Sequence, residues 1–192
     1  MVLAMTRPDA WNLLCEFVQS DSLRKHMLAV EAAMRHYAGL LGGDVDQWGI
    51  TGLLHDFDYE RWPNPPDHTR EGAKVLRERG VDDEIVGAIL SHADWNLDEY
   101  PRDRPIRKVL FAVDELCGFL TAAALVRPTR LEGMEPSSVK KKMKTPAFAA
   151  AVSREDITAG AELLGLSLDD HIRNCITAMK AAAGELGLLP PT

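Results

Sequence analysis

Apolar residues recur along this chain at intervals of three and four, and runs that alternate every second residue between turn signals are missing. The pattern predicts an all-α protein. A first helix is expected from about Pro8, whose fixed φ suits an opening turn, to about Gln19, with Trp11, Leu14, Cys15 and Val18 on one stripe. Ser20 or Asp21 caps a longer second helix that turns Leu23, His26, Met27, Val30, Met34, Tyr37 and Leu41 toward a core and stops at Gly42-Gly43. Asp44, with Gln47 three residues on, opens a third helix that is predicted to pass through Trp48, Ile50, Leu53 and Leu54 into His55 and Asp56 and to end near Asp58. Three prolines between Arg61 and Asp67 require a loop directly beside that dyad. Further helices are predicted over about 68–79, 82–92 and, after a polar loop with Pro101 and Pro105, 106–126. Ser153 and Ser167, each with Asp three residues later, mark two more helix starts, so a C-terminal set spanning about 136–187 packs on the part before it.

Length and composition narrow the picture without changing it. With 192 residues, 46% hydrophobic and 27% charged, the chain fits a single globular domain over 1–192. A formal charge of -7 argues against general nucleic-acid binding. The longest apolar stretch, Phe119 to Val126 with Thr121 inside it, is far short of the ~20 residues of a membrane span. The N-terminal residues carry no basic segment followed by an apolar run and a cleavage site, so a cytoplasmic location is expected and no membrane partner. Cys15, Cys117 and Cys175 are too scattered for a metal knuckle or a disulfide framework and read as small core residues.

The chemistry concentrates in the histidines and aspartates. His26, His55 and His92 fall at apolar-periodic positions, where an unpaired imidazole is costly to bury. His55 and Asp56 are adjacent, so both reach one cavity from a single turn. Asp114 lies mid-helix between Val113 and Leu116, where desolvation burdens a carboxylate unless a cation meets it. One divalent metal bound by His26, His55, Asp56 and Asp114 would satisfy all four groups, with the mixed imidazole and carboxylate set that suits Mn, Fe, Co, Ni, Zn or Mg. A buried polar network without metal is the competing reading of the same four residues.

These residues carry a resemblance. His26, then Leu53-Leu54-His55-Asp56, then Asp114 within Phe-Ala-Val-Asp-Glu-Leu resembles the H…HD…D signature of the HD-domain superfamily of helical metal-dependent phosphohydrolases, over a core of about 20–126. The resemblance implies an HD-type helical bundle and an enzyme that hydrolyses a small phosphorylated molecule, nucleotides among the candidates, through a metal-activated water that Asp56 also orients. It further implies that His68 and His92 match histidine positions of two-metal members, so that one or two metals per chain are expected, with Asp56 as the bridge. Phe57-Asp58 stands where Ile-Gly often follows the dyad, Ala93 where a second histidine follows the first, and the Gly-Tyr-Pro signature of cyclic-dinucleotide phosphodiesterases is missing. No substrate carries over.

Phosphoryl transfer calls for cations around the transferred group. Between positions 127 and 144 there are six Lys or Arg against two Glu, and Arg127, Lys140, Lys141 and Lys144 are the candidates. A lysine run is also an ordinary solvated helix face. Trp62, in the proline loop, is the preferred lid residue over Trp48 and Trp95; Asp94 and Glu115 flank proposed ligands, and His36 and His171 lie among surface-like residues. The rival to an enzyme is a non-catalytic HD module that binds a nucleotide or a partner protein, and a homodimer is open. Oxygen chemistry at a di-iron site of the same ligand type is a third reading.

Overall fold

A computed structural model describes residues 5–191, which form ten α-helices and one short 3-10 turn, with no β-strand among them. The order is α1 (Arg7–Phe17), α2 (Asp21–Leu41), α3 (Val45–Leu54), α4 (Asp67–Glu78), α5 (Asp83–His92), the turn Asp94–Asn96, α6 (Pro105–Leu125), α7 (Pro136–Met143), α8 (Arg154–Leu163), α9 (Leu168–Ala181) and α10 (Ala183–Leu186). The helix starts follow local chemistry. Ser20, Asp44, Asp82, Ser153 and Ser167 each accept a backbone N–H of the helix they cap. Gly42 ends α2 at φ 70°, a left-handed conformation that glycine adopts without a Cβ penalty.

The two long helices α2 and α6 pack together at the centre; α3 and α9 cover α2, while α5 and α8 cover α6. The core they enclose includes Met27, Val30, Met34, Leu53, Leu54, Val113, Leu116 and Leu120, all buried. Gly52 sets how closely α3 approaches α2, because a Cβ there would lie 2.9 Å from the Glu31 nitrogen, the Val30 oxygen and Met34 Cγ. Glu31, buried on α2, accepts from Arg7 Nε at 2.7 Å and Arg35 Nε at 2.9 Å, which ties α1 to α2. No helix among the described residues is long and apolar enough to cross a membrane.

The structure departs from the sequence reading in several places; Leu41, read as core-facing, is exposed and Cys15 is only half-buried. The third helix stops at Leu54, and residues 55–61 continue in tighter turns, with Phe57 N–H donating to Leu54 O, Tyr59 to Asp56 O and Arg61 to Asp58 O. The fourth helix is broken at its start: His68 (φ -53°, ψ 135°) and Thr69 (φ 67°, ψ -36°) lie outside helical torsions. His171 is fully buried rather than surface-like. Its Nε2–H donates to Ala112 O at 2.8 Å, and Nδ1 lies 2.7 Å from Tyr37 Oη, so one imidazole fastens α9 to α2 and α6. Its place on the α9 stripe, four residues before buried Cys175, was the available signal.

Candidate metal centre

Five elements deliver six side chains to one place. His26 comes from the first turns of α2, His55 and Asp56 from the turn that ends α3, His68 from the break in α4, His92 from the last residue of α5 and Asp114 from the middle of α6. His26 Nε2 lies 3.0 Å and His55 Nε2 3.3 Å from Asp114 Oδ1, with Asp56 Oδ2 3.7 Å from His55 Nε2. On the other side, Asp56 Oδ1 lies 3.2 Å from His68 Nε2 and 3.1 Å from His92 Nε2. Two groups result, His26-His55-Asp56 and Asp56-His68-His92, each with donor atoms within 4.8 Å of one another and with Asp56 in both.

The donor set fits divalent metal on three counts. His55 Nε2 is buried and has no hydrogen-bond partner, although it faces two carboxylates; a metal ion is what such an atom lacks. Three imidazoles have Nδ1–H spent elsewhere, on Gly52 O at 2.8 Å for His55, Asp58 Oδ1 at 3.0 Å for His68 and Ile89 O at 2.6 Å for His92, so each presents Nε2 inward. Bonds of ~2.1 Å to a metal place neighbouring donor atoms about 3.0–3.4 Å apart, and the carboxylate–imidazole separations between 3.0 and 3.3 Å match.

Charge within the cluster is tightly coupled. Burial opposes a charge on His55, but Asp56 and Asp114 raise its pKa to about 9. Burial likewise works against His68, and Asp56 and Asp58 lift it to about 9. Against the same desolvation, His55, His68 and His92 hold the Asp56 carboxyl well below the usual range, and His55 with His26 does so for Asp114.

A second set of residues holds the ligands in place. Asp58, 1% exposed, accepts from His68 Nδ1–H at 3.0 Å, Thr69 N–H at 2.8 Å and Gly72 N–H at 3.1 Å. A Cβ at residue 72 would sit 2.6 Å from Asp58 Oδ2, so glycine is required for that approach. Buried Asn96 donates to Thr69 Oγ1 at 2.8 Å and to Leu90 O at 3.0 Å, which secures the strained Thr69 from the other side. Glu60 accepts from the N–H groups of Gln19 and Ser20 at the start of α2, the helix that carries His26.

The cluster opens into a cleft of about 240 Å³ lined by Asp56, His68, His92, Asp114 and, above them, Ala93, Asp94, Trp95, Phe111, Glu115 and Asp156. Arg102 stands behind this wall, stacked 3.7 Å over the Phe111 ring and 2.7 Å from Asp94 Oδ1. Glu115 accepts from Ser153 N–H at 2.9 Å, and burial together with Asp114 and Asp156 pushes its pKa up.

The cations expected from the sequence are not brought here. Arg127 donates to Arg130 O at 3.0 Å and Glu132 O at 2.9 Å and closes its own loop, because α6 carries the chain about 16 Å beyond Asp114 before that loop begins. Lys140 pairs with Asp169 of α9, Lys141 and Lys144 are exposed, and none of the four lines the cleft. Trp62 packs on Phe17 at 6.3 Å between centroids and is no lid; exposed Trp95, 6.0 Å from the His68 ring, stands at the mouth instead. Asp58, Asn96, Arg102 and Asp156 were missed. Only Asp58 left a trace in the sequence, as an acid two residues after the dyad where glycine often stands.

Comparison with known families matches residues 23–145, well over half of the chain, to the family described as HD domain. No curated protein and no solved structure matches the chain.

Proposed function

The chain belongs to the HD-domain family, and from that premise we propose that it is a metal-dependent phosphohydrolase that cleaves a phosphate ester of a small molecule. The reading rests on one observation above the others: two three-residue ligand groups share the carboxylate of Asp56. These two groups would hold a pair of divalent ions, which would supply a water of lowered pKa and positive charge for the phosphoryl oxygens.

His55, His68 and His92 keep Nε2 available because Nδ1–H is fixed on Gly52, Asp58 and Ile89. Asp56 sits between the two groups, one oxygen toward His55 and the other toward His68 and His92, where it orients the attacking water by accepting its hydrogen bond. Asp114 lies against His26 Nε2 and His55 Nε2 and would complete the ligands of the first group. No Lys or Arg lines the cleft, so Arg127, Lys140 and Lys144 bring no charge to the phosphoryl group there, and a bound metal would have to supply it.

The test is the metal content of the purified protein, followed by turnover of a generic aryl phosphate by wild type and Asp56→Ala. Loss of both bound metal and hydrolysis in the variant is expected. A protein that holds metal yet turns over no phosphoester in a broad panel would be the non-catalytic module instead.

A further inference from the structure

His92 is the last residue of α5, so its imidazole sits where a helix is least well secured: the last four carbonyls of an α-helix have no partner within it. In α2 the backbone supplies a partner, with Gly42 N–H donating back to Ala38 O. α5 has no such closure. Ala93 is extended, at φ -90° and ψ 123°, and among the described residues no backbone N–H beyond the helix reaches the carbonyls of Ile89, Leu90, Ser91 or His92.

Side chains take all four carbonyls instead. His92 Nδ1–H donates to Ile89 O at 2.6 Å and Asn96 Nδ2–H to Leu90 O at 3.0 Å. Arg102 takes the other two, with Nε–H on Ser91 O at 3.0 Å and Nη2–H on His92 O at 2.7 Å, while Nη2 also meets Asp94 Oδ1 at 2.7 Å. Its side chain is only 13% exposed, and its guanidinium lies 3.7 Å over the ring of Phe111, three residues before Asp114 on α6. One flat cation thus touches both the end of the helix that presents His92 and the helix that presents Asp114. The helix dipole favours positive charge at this end, and two carbonyls along an edge with an aromatic ring on the face call for a guanidinium rather than an ammonium.

We propose that Arg102 is a positioning residue of the metal centre: by capping α5 against Phe111 it holds the imidazole of His92 at Asp56 and so builds the Asp56-His68-His92 group. The proposal rests on the two-group metal reading. His92 Nε2 lies 3.1 Å from Asp56 Oδ1, and the bond to Ile89 O orients the ring only within its own helix. Arg102 secures that helix end to α6. Without it Ser91 O and His92 O lose their donors, and the last turn frays with the imidazole on it. The His26-His55-Asp56 group takes no residue from α5 and should be spared.

Binding of Co(II) tests this without reference to turnover. Calorimetric titration of the metal-free wild type should resolve two equivalents. In Arg102→Ala one of them should weaken about tenfold or more, as on loss of other groups that orient a ligating histidine, while the other stays within about threefold. Asp94→Asn, which removes the ion pair and keeps the carbonyl contacts, should leave both within about twofold. Millimolar guanidinium chloride should restore the weakened equivalent in Arg102→Ala by refilling the slot over Phe111, and methylammonium chloride should not. Unchanged affinity for both equivalents, an equal loss of both, or no greater recovery with guanidinium than with methylammonium overturns the proposal. Should Arg102→Ala fail to fold, Arg102→Lys decides the case. Its ammonium cannot span both carbonyls with a flat face on Phe111, so one equivalent again weakens, by about threefold or more, and wild-type affinity for both overturns the proposal. A wild type that takes up no second Co(II) sinks the two-group reading and the proposal with it, whereas two equivalents bound alike by wild type and Arg102→Ala sink the proposal alone.

Discussion

Asp58→Asn isolates the role of a residue that touches no proposed metal position. The substitution keeps the volume and one carbonyl oxygen. Thr69 N–H and Gly72 N–H both point at Oδ2, at 2.8 and 3.1 Å, so the retained oxygen stays with them. The amide NH2 then faces His68 Nδ1, which lay 3.0 Å from the carboxylate. Two donors cannot face each other, so the imidazole shifts its proton to Nε2, the nitrogen aimed at Asp56, and a protonated Nε2 is no ligand. Two charge-assisted bonds of ~1.5–3 kcal/mol become neutral ones of ~0.5–1.5 kcal/mol, a loss of about 2 kcal/mol against a typical total of ~5–15 kcal/mol, so the fold survives. For a chain of this size that corresponds to a drop in Tm of about 4–8 °C. The cost to metal is about 10–100-fold in the affinity of the group that contains His68, as for other carboxylates that orient a ligating histidine. Elemental analysis after dialysis should therefore find one equivalent fewer than in wild type, with helical circular dichroism unchanged. Wild-type affinity for every equivalent in Asp58→Asn would refute the tautomer argument.

Gly52→Ala forces a Cβ against backbone atoms of α2 at 2.9 Å; it should cost about 1–3 kcal/mol and weaken metal binding by moving His55 away from His26, and an unchanged Tm with full metal content would count against that role of α3. In the metal-free protein His55 and His68 titrate at about 9, above the unfolded 6.5, so their stabilisation is complete below pH 6.5 and is lost as pH rises through about 9. His171, pushed down by burial, acts only below pH 6.5; thermal melts should thus show Tm falling between pH 6.5 and 9 without metal, and excess Mn(II) should reverse the trend because metal needs deprotonated imidazoles. Lys140→Ala and Lys144→Ala, away from the cleft, should leave metal content unchanged and aryl phosphate turnover within about twofold, and a hundredfold loss in kcat/KM would show that these lysines reach the reaction after all.

The helices were legible because burial imposes a period, and the same period exposed the misfits. His26, His55 and Asp114 stood out as polar groups at positions where only apolar neighbours were expected, and the structure has both imidazoles within 3.3 Å of the Asp114 carboxylate. His171 met the same criterion and was passed over. Its partners, Tyr37 and the Ala112 carbonyl, are distant in the chain, so the misfit looked like a surface residue rather than a satisfied core one. His68 was reachable only through family resemblance. It follows a proline loop at non-helical torsions, and its direction depends on Asp58, ten residues away across irregular backbone that no periodicity describes. The lysine run misled because nearness to α6 in sequence is not nearness to Asp114: a helix moves the chain ~1.5 Å per residue along its axis, so the loop at its end lies about 16 Å from its middle.

The two halves of the cluster are therefore held by different physics. His26 and Asp114 project from long helices that meet at the centre of the core, and Gly52 fixes the approach of the helix that leads to His55; these positions follow from packing and move only if the core moves. His68 and its neighbours are held by hydrogen bonds to Asp58 and Asn96 around Thr69, a β-branched residue at φ 67°, which costs of order 1–3 kcal/mol to maintain. A segment with strained torsions and few apolar anchors opens at lower free energy than packed helices do. The first group is thus the more fully formed before metal arrives, and the second gains more of its order from the ion. Asp56 belongs to both, so filling the first group fixes the carboxylate on which the second depends, and the two sites should load in that order.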